Sequence, residues 1–424
     1  MPSRPVAANS TSPTVLTQAA ERYGTPLYLY DIENLRDRVA AILALLPANV
    51  DLLYSLKANS SLGLCTLLAS WGLGADVASE GEFAIAREAK FAPQQTMVGG
   101  PYKSPALLAR MGSTPESLLS IDSISEFETL MENRFTGRAL LRLRPEFDVS
   151  ESGSMGSFSR FGIPYADLAQ RSHNFDRSGV RVVGFHVYSG SQMLQATEVI
   201  RSFRHAFELC NRAADRTGVV PERLNLGGGL GIPYGAEEQE LDISSVADEL
   251  ARLSERAAPA RITLELGRYL VGPCGWYVTR VVATQSRNGQ PAVVVDGGVH
   301  HRSDGCGLNH PNRGRPPMLL GQRPSQTLSP TDVLGCLCLP SDVLATDCPL
   351  PTLSQGDILA FPSSGAYGLS AAPLAFLSHS VPCEVAVSGD EFWVLRARGS
   401  AEDFLNTQER VPFPELGAKQ VNAV

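Results

Sequence analysis

A lysine follows one apolar segment of this chain, at a place where catalytic residues often lie in proteins of alternating strands and helices. Lys57 stands in YSLKANSS, directly after the predicted strand DLLYSL. On a β/α barrel, the carboxyl ends of the strands form the face that carries catalysis. An amine there can form a Schiff base with a carbonyl compound. The ordinary alternative is a solvated lysine at a strand end.

Three further segments place glycines or polar side chains after predicted strands. The glycines 227–229 follow RLNL, and their backbone N–H groups are free of side-chain obstruction toward a phosphate. LELGRYLVG presents Glu265 and Arg268, an acid that can meet a ring nitrogen and a guanidinium that can bind a phosphate. HVYSGSQ supplies His186 and Ser189. Each motif alone also fits a turn, a surface ion pair or a packed histidine.

Taken together, the four motifs meet the requirements of one cofactor. They supply a lysine for a Schiff base, donors for a phosphate and a carboxylate for a pyridine nitrogen. All of them fall at the carboxyl ends of predicted strands. Those groups are what pyridoxal 5'-phosphate (PLP) needs from a protein. The sequence therefore predicts a PLP-binding site.

The elements that must position these residues follow two patterns. From Asp51 to about Arg268, short apolar runs alternate with segments of helical periodicity. The predicted strands are DLLYSL, GADVAS, TMVGG, SLLSI, RALLRL, RVVGFHVY, RLNLGGG and RITLELG. Eight such strands predict a (β/α)8 TIM-like barrel, which needs about 250 residues.

Beyond Gly272 the strand-like runs are separated by turns, which predicts a C-terminal β-sandwich or β-barrel domain. We expect residues 1–30 to form a tail and a strand of that β domain. Residues 31–272 then form the barrel and residues 273–424 the β domain.

Composition excludes several functional classes. The 424 residues carry a formal net charge of −8, so nucleic acid is not an expected partner. No apolar run is long enough to predict a membrane-spanning helix. The eight cysteines lack paired zinc-type spacing, and no secretory segment precedes them. We therefore expect a reduced, cytoplasmic protein with no metal site.

The order of the motifs resembles that of a known family. YSLKAN, GADVASEGE, SRFGI, HVYSGSQ, LNLGGGLG, ELGR, VDGG, GCLCLPSD and SGAYG occur in the order found in the fold type III PLP-dependent decarboxylases. That family includes diaminopimelate, ornithine and arginine decarboxylases, whose barrel is similar to that of alanine racemases. The resemblance covers nearly the whole chain and implies a PLP-dependent decarboxylase.

The resemblance also implies a role for each matching residue. Lys57 would hold the cofactor and His186 would stack on its ring, while Glu265 would pair with the pyridine nitrogen. Asp76 and Arg142 would support the lysine and the cofactor. The groups that would hold the phosphate are Ser189, Gly227, Gly228, Gly229, Arg268 and Tyr367.

Cys338 would be the acid that protonates the substrate carbon after CO2 has left. Because the related racemases have an arginine in place of Glu265, the carboxylate favours decarboxylation. In this family Cys338 and Tyr367 reach the cofactor across or beside a subunit interface, so the resemblance implies a homodimer with shared active sites.

The segment after Cys338 bears on the substrate. Diaminopimelate decarboxylases have glutamate and serine after this cysteine, and ornithine decarboxylases have aspartate, whereas this chain has Leu339 and Pro340. A free basic amino acid would therefore lack its distal carboxylate partner. Asp342 and Arg315 are the further candidates for substrate contacts, and Arg315 matches the arginine that binds a distal carboxylate. Tyr367 is a candidate for both cofactor and substrate.

Within the family, the chain resembles a branch of secondary metabolism. HVYSGSQ, ELGRYL, VDGGVHHR and SGAYGLSAAPLAFLSH are similar to segments of the glutamyl-carrier-protein decarboxylase of the butirosin pathway. Siderophore decarboxylases belong to the same branch. The resemblance implies an amino acid or amino-acid conjugate as substrate, with an acyl or peptidyl carrier protein as a candidate partner. Two alternatives remain: a diaminopimelate decarboxylase of lysine biosynthesis, and an inactive PLP-binding regulatory homologue.

Overall fold

Eight parallel strands form a closed barrel, as the sequence predicts. The computed structural model describes residues 11–146, 160–170, 175, 179–287, 289–302, 316–321 and 327–410. The barrel strands are β2 (Val50–Ser55), β3 (Gly74–Val77), β4 (Thr96–Val98), β5 (Leu118–Ile121), β6 (Gly137–Leu143), β7 (Val180–Val187), β8 (Arg223–Gly228) and β9 (Arg261–Leu266). Each lies within a predicted strand or overlaps it.

Helices pack around the barrel. They are α2 (Ile32–Leu45), α3 (Leu62–Ser70), α4 (Glu80–Glu88), α5 (Pro105–Gly112), α6 (Ile124–Glu132), α7 (Tyr165–Gln170), α8 (Ala196–Thr217), α9 (Ile243–Ala257) and the short α10 (Arg268–Val271). In α8, apolar residues three and four positions apart bury one face, and Gly218 ends the helix in a left-handed conformation. No helix within the described ranges has the length and apolarity needed to cross a membrane.

The barrel interior is filled at one level by Leu53, Met97, Leu118, Leu140 and Val183. Side chains alternate along a strand, so Ser55 faces the same interior as Leu53, nearer the carboxyl end of β2. A packed apolar layer inside the barrel and polar side chains at its carboxyl end place the chemistry on that end.

The second domain is a mixed sheet of nine strands in the described part of the chain. Its strands are β1 (Leu27–Asp31), β10 (Gly275–Arg287), β11 (Gln290–Val295), β12 (Met318–Leu320), β13 (Ser329–Leu334), β14 (Val343–Leu350), β15 (Ile358–Phe361), β16 (Cys383–Ser388) and β17 (Glu391–Arg396). The N-terminal strand β1 pairs antiparallel with β10 and parallel with β16. Helix α1 (Pro13–Tyr23) packs on this sheet through Leu16, Ala19 and Ala20.

Candidate active site

A cavity of about 690 Å³ opens at the carboxyl end of the barrel. It collects residues that are far apart in the chain, because the parallel strands all end there. Among the predicted site residues, those that line it are Lys57, Asp76, Arg142, His186, Glu265, Arg268 and Tyr367.

Lys57 lies on a 3-10 turn, Leu56–Ala58, that directly follows β2. Its Nζ is 3.8 Å from Asp76 Oδ2 and 5.2 Å from the ring centre of Tyr188. Protein surrounds the side chain, but 44% of it is accessible from the cavity. Burial opposes the charge on this amine, yet Asp76 and the other groups around it raise the pKa of Lys57 above its ordinary value. The free amine is therefore protonated at neutral pH.

Asp76 is fixed by a hydrogen bond that Ser55 Oγ donates to its Oδ2 over 2.9 Å. Burial and the nearby Glu265 raise the pKa of Asp76 to about 6, while Lys57 opposes the rise. The carboxyl is still mostly ionised at neutral pH. It can therefore hold a proton on Lys57 by charge.

Glu265 and His186 both line the cavity and contact each other. His186 Nε2 is 3.2 Å from Glu265 Oε1, and His186 Nδ1 is 2.8 Å from Ser120 Oγ. Burial, and then the cation of Arg142, lowers the pKa of His186 far below its ordinary value. The imidazole is thus a neutral, flat ring. Burial raises the pKa of Glu265 above its ordinary value.

Arg142 faces the same cavity from β6. Its Nη1 donates to Asp122 Oδ1 over 2.7 Å, and its guanidinium lies 5.0 Å from the ring centre of Phe161. The cation opposes the rise in pKa of both Glu265 and Asp76. Arg142 thus favours the ionised form of the two acids.

A small recess beside Lys57 is lined by Gly229, Gly267, Arg268 and Tyr367. Gly229 has φ +92°, and a Cβ there would lie 2.5 Å from the Gly190 carbonyl oxygen, so only glycine fits. Gly227 N–H already donates to Asn225 Oδ1 over 2.8 Å.

Ser189 and Arg268 each carry a buried polar atom that no described residue satisfies. Within the described ranges, neither Ser189 Oγ nor Arg268 Nε has a hydrogen-bond partner. Buried polar groups are normally hydrogen-bonded, so a bound ligand or an ordered water is needed to satisfy these atoms. They fit an anion such as the phosphate of PLP, beside an amine that fits its aldehyde.

Tyr367 comes from the second domain, between β15 and β16, and reaches the cavity of its own chain. Its N–H donates to Ala58 O over 2.7 Å, directly beside Lys57. The Arg268 guanidinium lies 4.6 Å from the Tyr367 ring centre. A partner subunit is therefore not needed to supply this tyrosine.

The remaining predicted residues lie elsewhere. Cys338 is exposed and is not among the residues that line the cavity. Both Asp342 carboxylate oxygens accept backbone N–H groups, from Val299 over 2.8 Å and Leu337 over 2.7 Å. Arg315 lies outside the described residues.

Sequence reasoning missed several contributors. Asn225 is fully buried, and its Nδ2 donates to Glu265 Oε1 over 2.7 Å. Ser120 and Asp122 hold His186 and Arg142, and Glu198 also lines the cavity. The sequence does carry a signal for them. RLNLGGG and SLLSID place polar residues within or just after apolar strands, and such side chains need hydrogen-bond partners when they are buried.

Comparison with known proteins agrees with this site. Residues 32–272 match the family model "Pyridoxal-dependent decarboxylase, pyridoxal binding domain". The chain is 32% identical to the L-glutamyl-[BtrI acyl-carrier protein] decarboxylase of Niallia circulans, over 93% of this chain and 96% of that protein. It is also 32% identical to the diaminopimelate decarboxylase of Deinococcus radiodurans, over 93% and 98% of the two chains.

A solved structure extends the likeness to the fold. Diaminopimelate decarboxylase from Helicobacter pylori, complexed with L-lysine, superposes with a TM-score of 0.83 at 25% identity, covering 92% of this chain and 98% of that one. The expectations of fold, cofactor and family are thus confirmed. The chain belongs to the pyridoxal-dependent decarboxylase family and is a PLP-dependent amino-acid decarboxylase.

Proposed function

We propose that the enzyme decarboxylates an L-amino acid that is conjugated at its far end, such as a glutamyl group on a carrier protein or a siderophore-type precursor, in secondary-metabolite biosynthesis. The observation that carries this proposal is Leu339, an apolar residue 37% exposed, directly after Cys338. Leu339 and Pro340 offer no carboxylate to a distal ammonium. A conjugated substrate has no such ammonium to satisfy.

Residues of the cavity and of the recess beside it, together with the buried Ser189, would bind different parts of PLP. The phosphate of PLP would be held by Ser189, Gly229, Arg268 and Tyr367. Lys57 would bind the aldehyde carbon of the cofactor. His186 would lie flat against the ring. Glu265 would face the ring nitrogen.

When bound, PLP supplies an acceptor for the electron pair that the departing carboxylate leaves behind. Glu265 would keep a proton on the ring nitrogen, because Lys57, Arg142 and the hydrogen bond from Asn225 oppose the rise in its pKa that burial causes. Asp76 holds a proton at Lys57 Nζ, which is one source of the proton that the substrate carbon needs. Cys338 is the other candidate donor.

We further propose that the active form is a homodimer. Cys338 is exposed and lies outside the cavity of its own chain, which is expected if it serves the cavity of a second copy. Its loop, between β13 and β14, belongs to the second domain. This arrangement supports shared active sites and a cavity that closes only on dimerisation.

Diaminopimelate is the second candidate substrate, and one residue favours it. Glu198, in the first turn of α8, lines the cavity and could pair with a distal ammonium. Glu238 also lines the cavity, but its Oε2 already accepts the N–H groups of Tyr234 and Gly235. The two substrates therefore differ in whether they need Glu198.

The deciding experiment is CO2 release from four substrates: free L-glutamate, meso-diaminopimelate, L-ornithine and a glutamyl-carrier-protein thioester. We expect kcat/KM for the thioester to exceed that for each free amino acid by about a hundredfold or more. Turnover of diaminopimelate with a kcat/KM of about 10⁴ M⁻¹s⁻¹ or above would contradict the proposal.

A further inference from the structure

A second cluster of reactive side chains lies in the β domain, outside the PLP cavity. His300 follows β11, Cys336 lies in the loop between β13 and β14, and His379 follows a 3-10 turn, Phe376–Ser378. Cys336 Sγ and one ring nitrogen of each histidine all lie within 4.8 Å of one another. The ring centres of His300 and His379 are 4.8 Å apart. Three loops thus bring nitrogen and sulfur ligands to one point.

His300 is the anomalous member of this cluster. The residue is 0% exposed, and within the described ranges neither Nδ1 nor Nε2 has a hydrogen-bond partner. A neutral imidazole carries one N–H donor and one lone pair, and each of them requires a partner when buried. Buried polar groups without a partner are rare in native proteins, and a bound ion is one way in which such a group is satisfied.

We propose that His300, Cys336 and His379 bind one divalent transition-metal ion, with Zn²⁺ as the natural occupant. Imidazole nitrogen and thiolate sulfur are the ligands that zinc prefers, at about 2.0 to 2.3 Å. Ligands around such an ion lie at most about 4 Å apart, so the observed cluster needs only a small contraction. Three protein ligands leave one position for water or a further group.

Asp342 connects the two loops that carry His300 and Cys336. Its two oxygens accept the N–H groups of Val299 and Leu337, the neighbours of His300 and Cys336. The carboxylate also interacts electrostatically with Cys336 and with His379. It therefore holds two ligand loops in place and adds negative charge beside the cation, as carboxylates around metal sites commonly do.

The metal would tie the loop of Cys338 to the rest of the β domain. Cys336 is two residues before Cys338, and both lie in the same loop between β13 and β14. Anchoring Cys336 to His300 and His379 restricts the positions that Cys338 can take. The ion thus acts as a positioning element for the loop and needs no contact with the substrate.

The test is metal uptake by the PLP-saturated enzyme. The protein is treated with a chelator, freed of excess PLP, and titrated with Zn²⁺, and bound zinc is then counted per chain. Co²⁺ serves as a spectroscopic probe, because a tetrahedral site with a thiolate gives bands in the red, where PLP does not absorb. We expect one tightly bound ion per chain and the tetrahedral cobalt spectrum.

Two ligand variants and two controls make the assignment specific. Cys336→Ser and His379→Gln should weaken Zn²⁺ binding at least about tenfold and abolish the red cobalt bands. Cys348→Ala and His205→Gln, which change the same residue types outside the cluster, should bind as the wild type does. Retained PLP absorbance and circular dichroism show that the ligand variants fold. Failure of the wild type to bind Zn²⁺ more tightly than both ligand variants would overturn the proposal, whatever the substrate of the PLP site.

Discussion

Asn225 Nδ2 donates a hydrogen bond of 2.7 Å to Glu265 Oε1, and both side chains are buried within the barrel. The Asn225 Oδ1 accepts from Gly227 N–H, so the orientation of the amide is set from both ends. Asn225 opposes the rise in the pKa of Glu265, because a donated hydrogen bond favours the carboxylate. The pKa of the acid that we propose to face the ring nitrogen is therefore lowered by a side chain on the adjacent strand β8.

Asn225→Ala should lower kcat by about tenfold. It should also move the acidic side of the pH profile of kcat to higher pH, because Glu265 loses a hydrogen bond that favours its ionised form. The pH profile of kcat measures both effects. Asn225→Asp should be more harmful, since a second carboxylate beside Glu265 raises its pKa further. An unchanged acid limb in Asn225→Ala would assign Asn225 a structural role alone.

Lys57→Ala should abolish the visible absorbance that a Schiff base between PLP and a lysine gives, together with decarboxylation. Lys57→Arg is the matched control for charge, because it keeps a cation beside Asp76 but cannot form the Schiff base. We expect both variants to be inactive and both spectra to resemble free PLP. A visible Schiff-base band that persists in Lys57→Ala would place the cofactor on another lysine.

His186 should make the protein sensitive to acid. The folded chain holds this ring neutral, whereas the unfolded chain binds a proton near a pH of about 6.5. Stability rises with pH wherever the unfolded state binds more protons, so the contribution of His186 falls as pH drops below that value. His186→Gln should therefore lose less Tm than the wild type between about pH 7 and pH 5. His205→Gln, an exposed histidine of α8, is the control, and equal losses in His186→Gln and wild type would contradict this account.

The sequence predicts the barrel and most of the cavity because both depend on local patterns. Apolar runs mark the eight strands, and the strands end at a common face, so Lys57, His186 and Glu265 could be placed together without a structure. Contacts between side chains of different strands cannot be predicted in this way. Asn225 and Ser120 sit inside apolar runs, and only the folded barrel shows that Asn225 meets Glu265 and that Ser120 on β5 meets His186 on β7.

The clustered residues of the β domain could not be predicted from the sequence. His300, Cys336 and His379 are separated by long stretches of chain, so no spacing rule relates them, and the cysteines alone predicted no metal site. Asp342 was a candidate substrate contact from its motif, yet its two oxygens hold backbone amides. Loop packing decides such cases, and loops carry little periodic signal.

Glu198→Gln should distinguish the two candidate substrates. A distal ammonium paired with Glu198 would lose a charged hydrogen bond, and KM for diaminopimelate would rise about tenfold or more. A glutamyl thioester has no such group, so we expect its KM to change by less than about twofold. Glu208→Gln, on the same helix but paired with Arg256, is the control. A large rise in the thioester KM in Glu198→Gln alone would contradict the proposed substrate.

Subunit mixing should test whether Cys338 serves the cavity of a second copy. Lys57→Ala and Cys338→Ala are each expected to be inactive or nearly so as pure proteins. After unfolding and refolding together in equal amounts, half of the dimers carry one copy of each variant. If sites are shared, each such dimer has one intact site, and the mixture recovers about one quarter of the wild-type activity. If Cys338 served its own chain, both sites of the mixed dimer would carry a defect, and mixing would restore nothing.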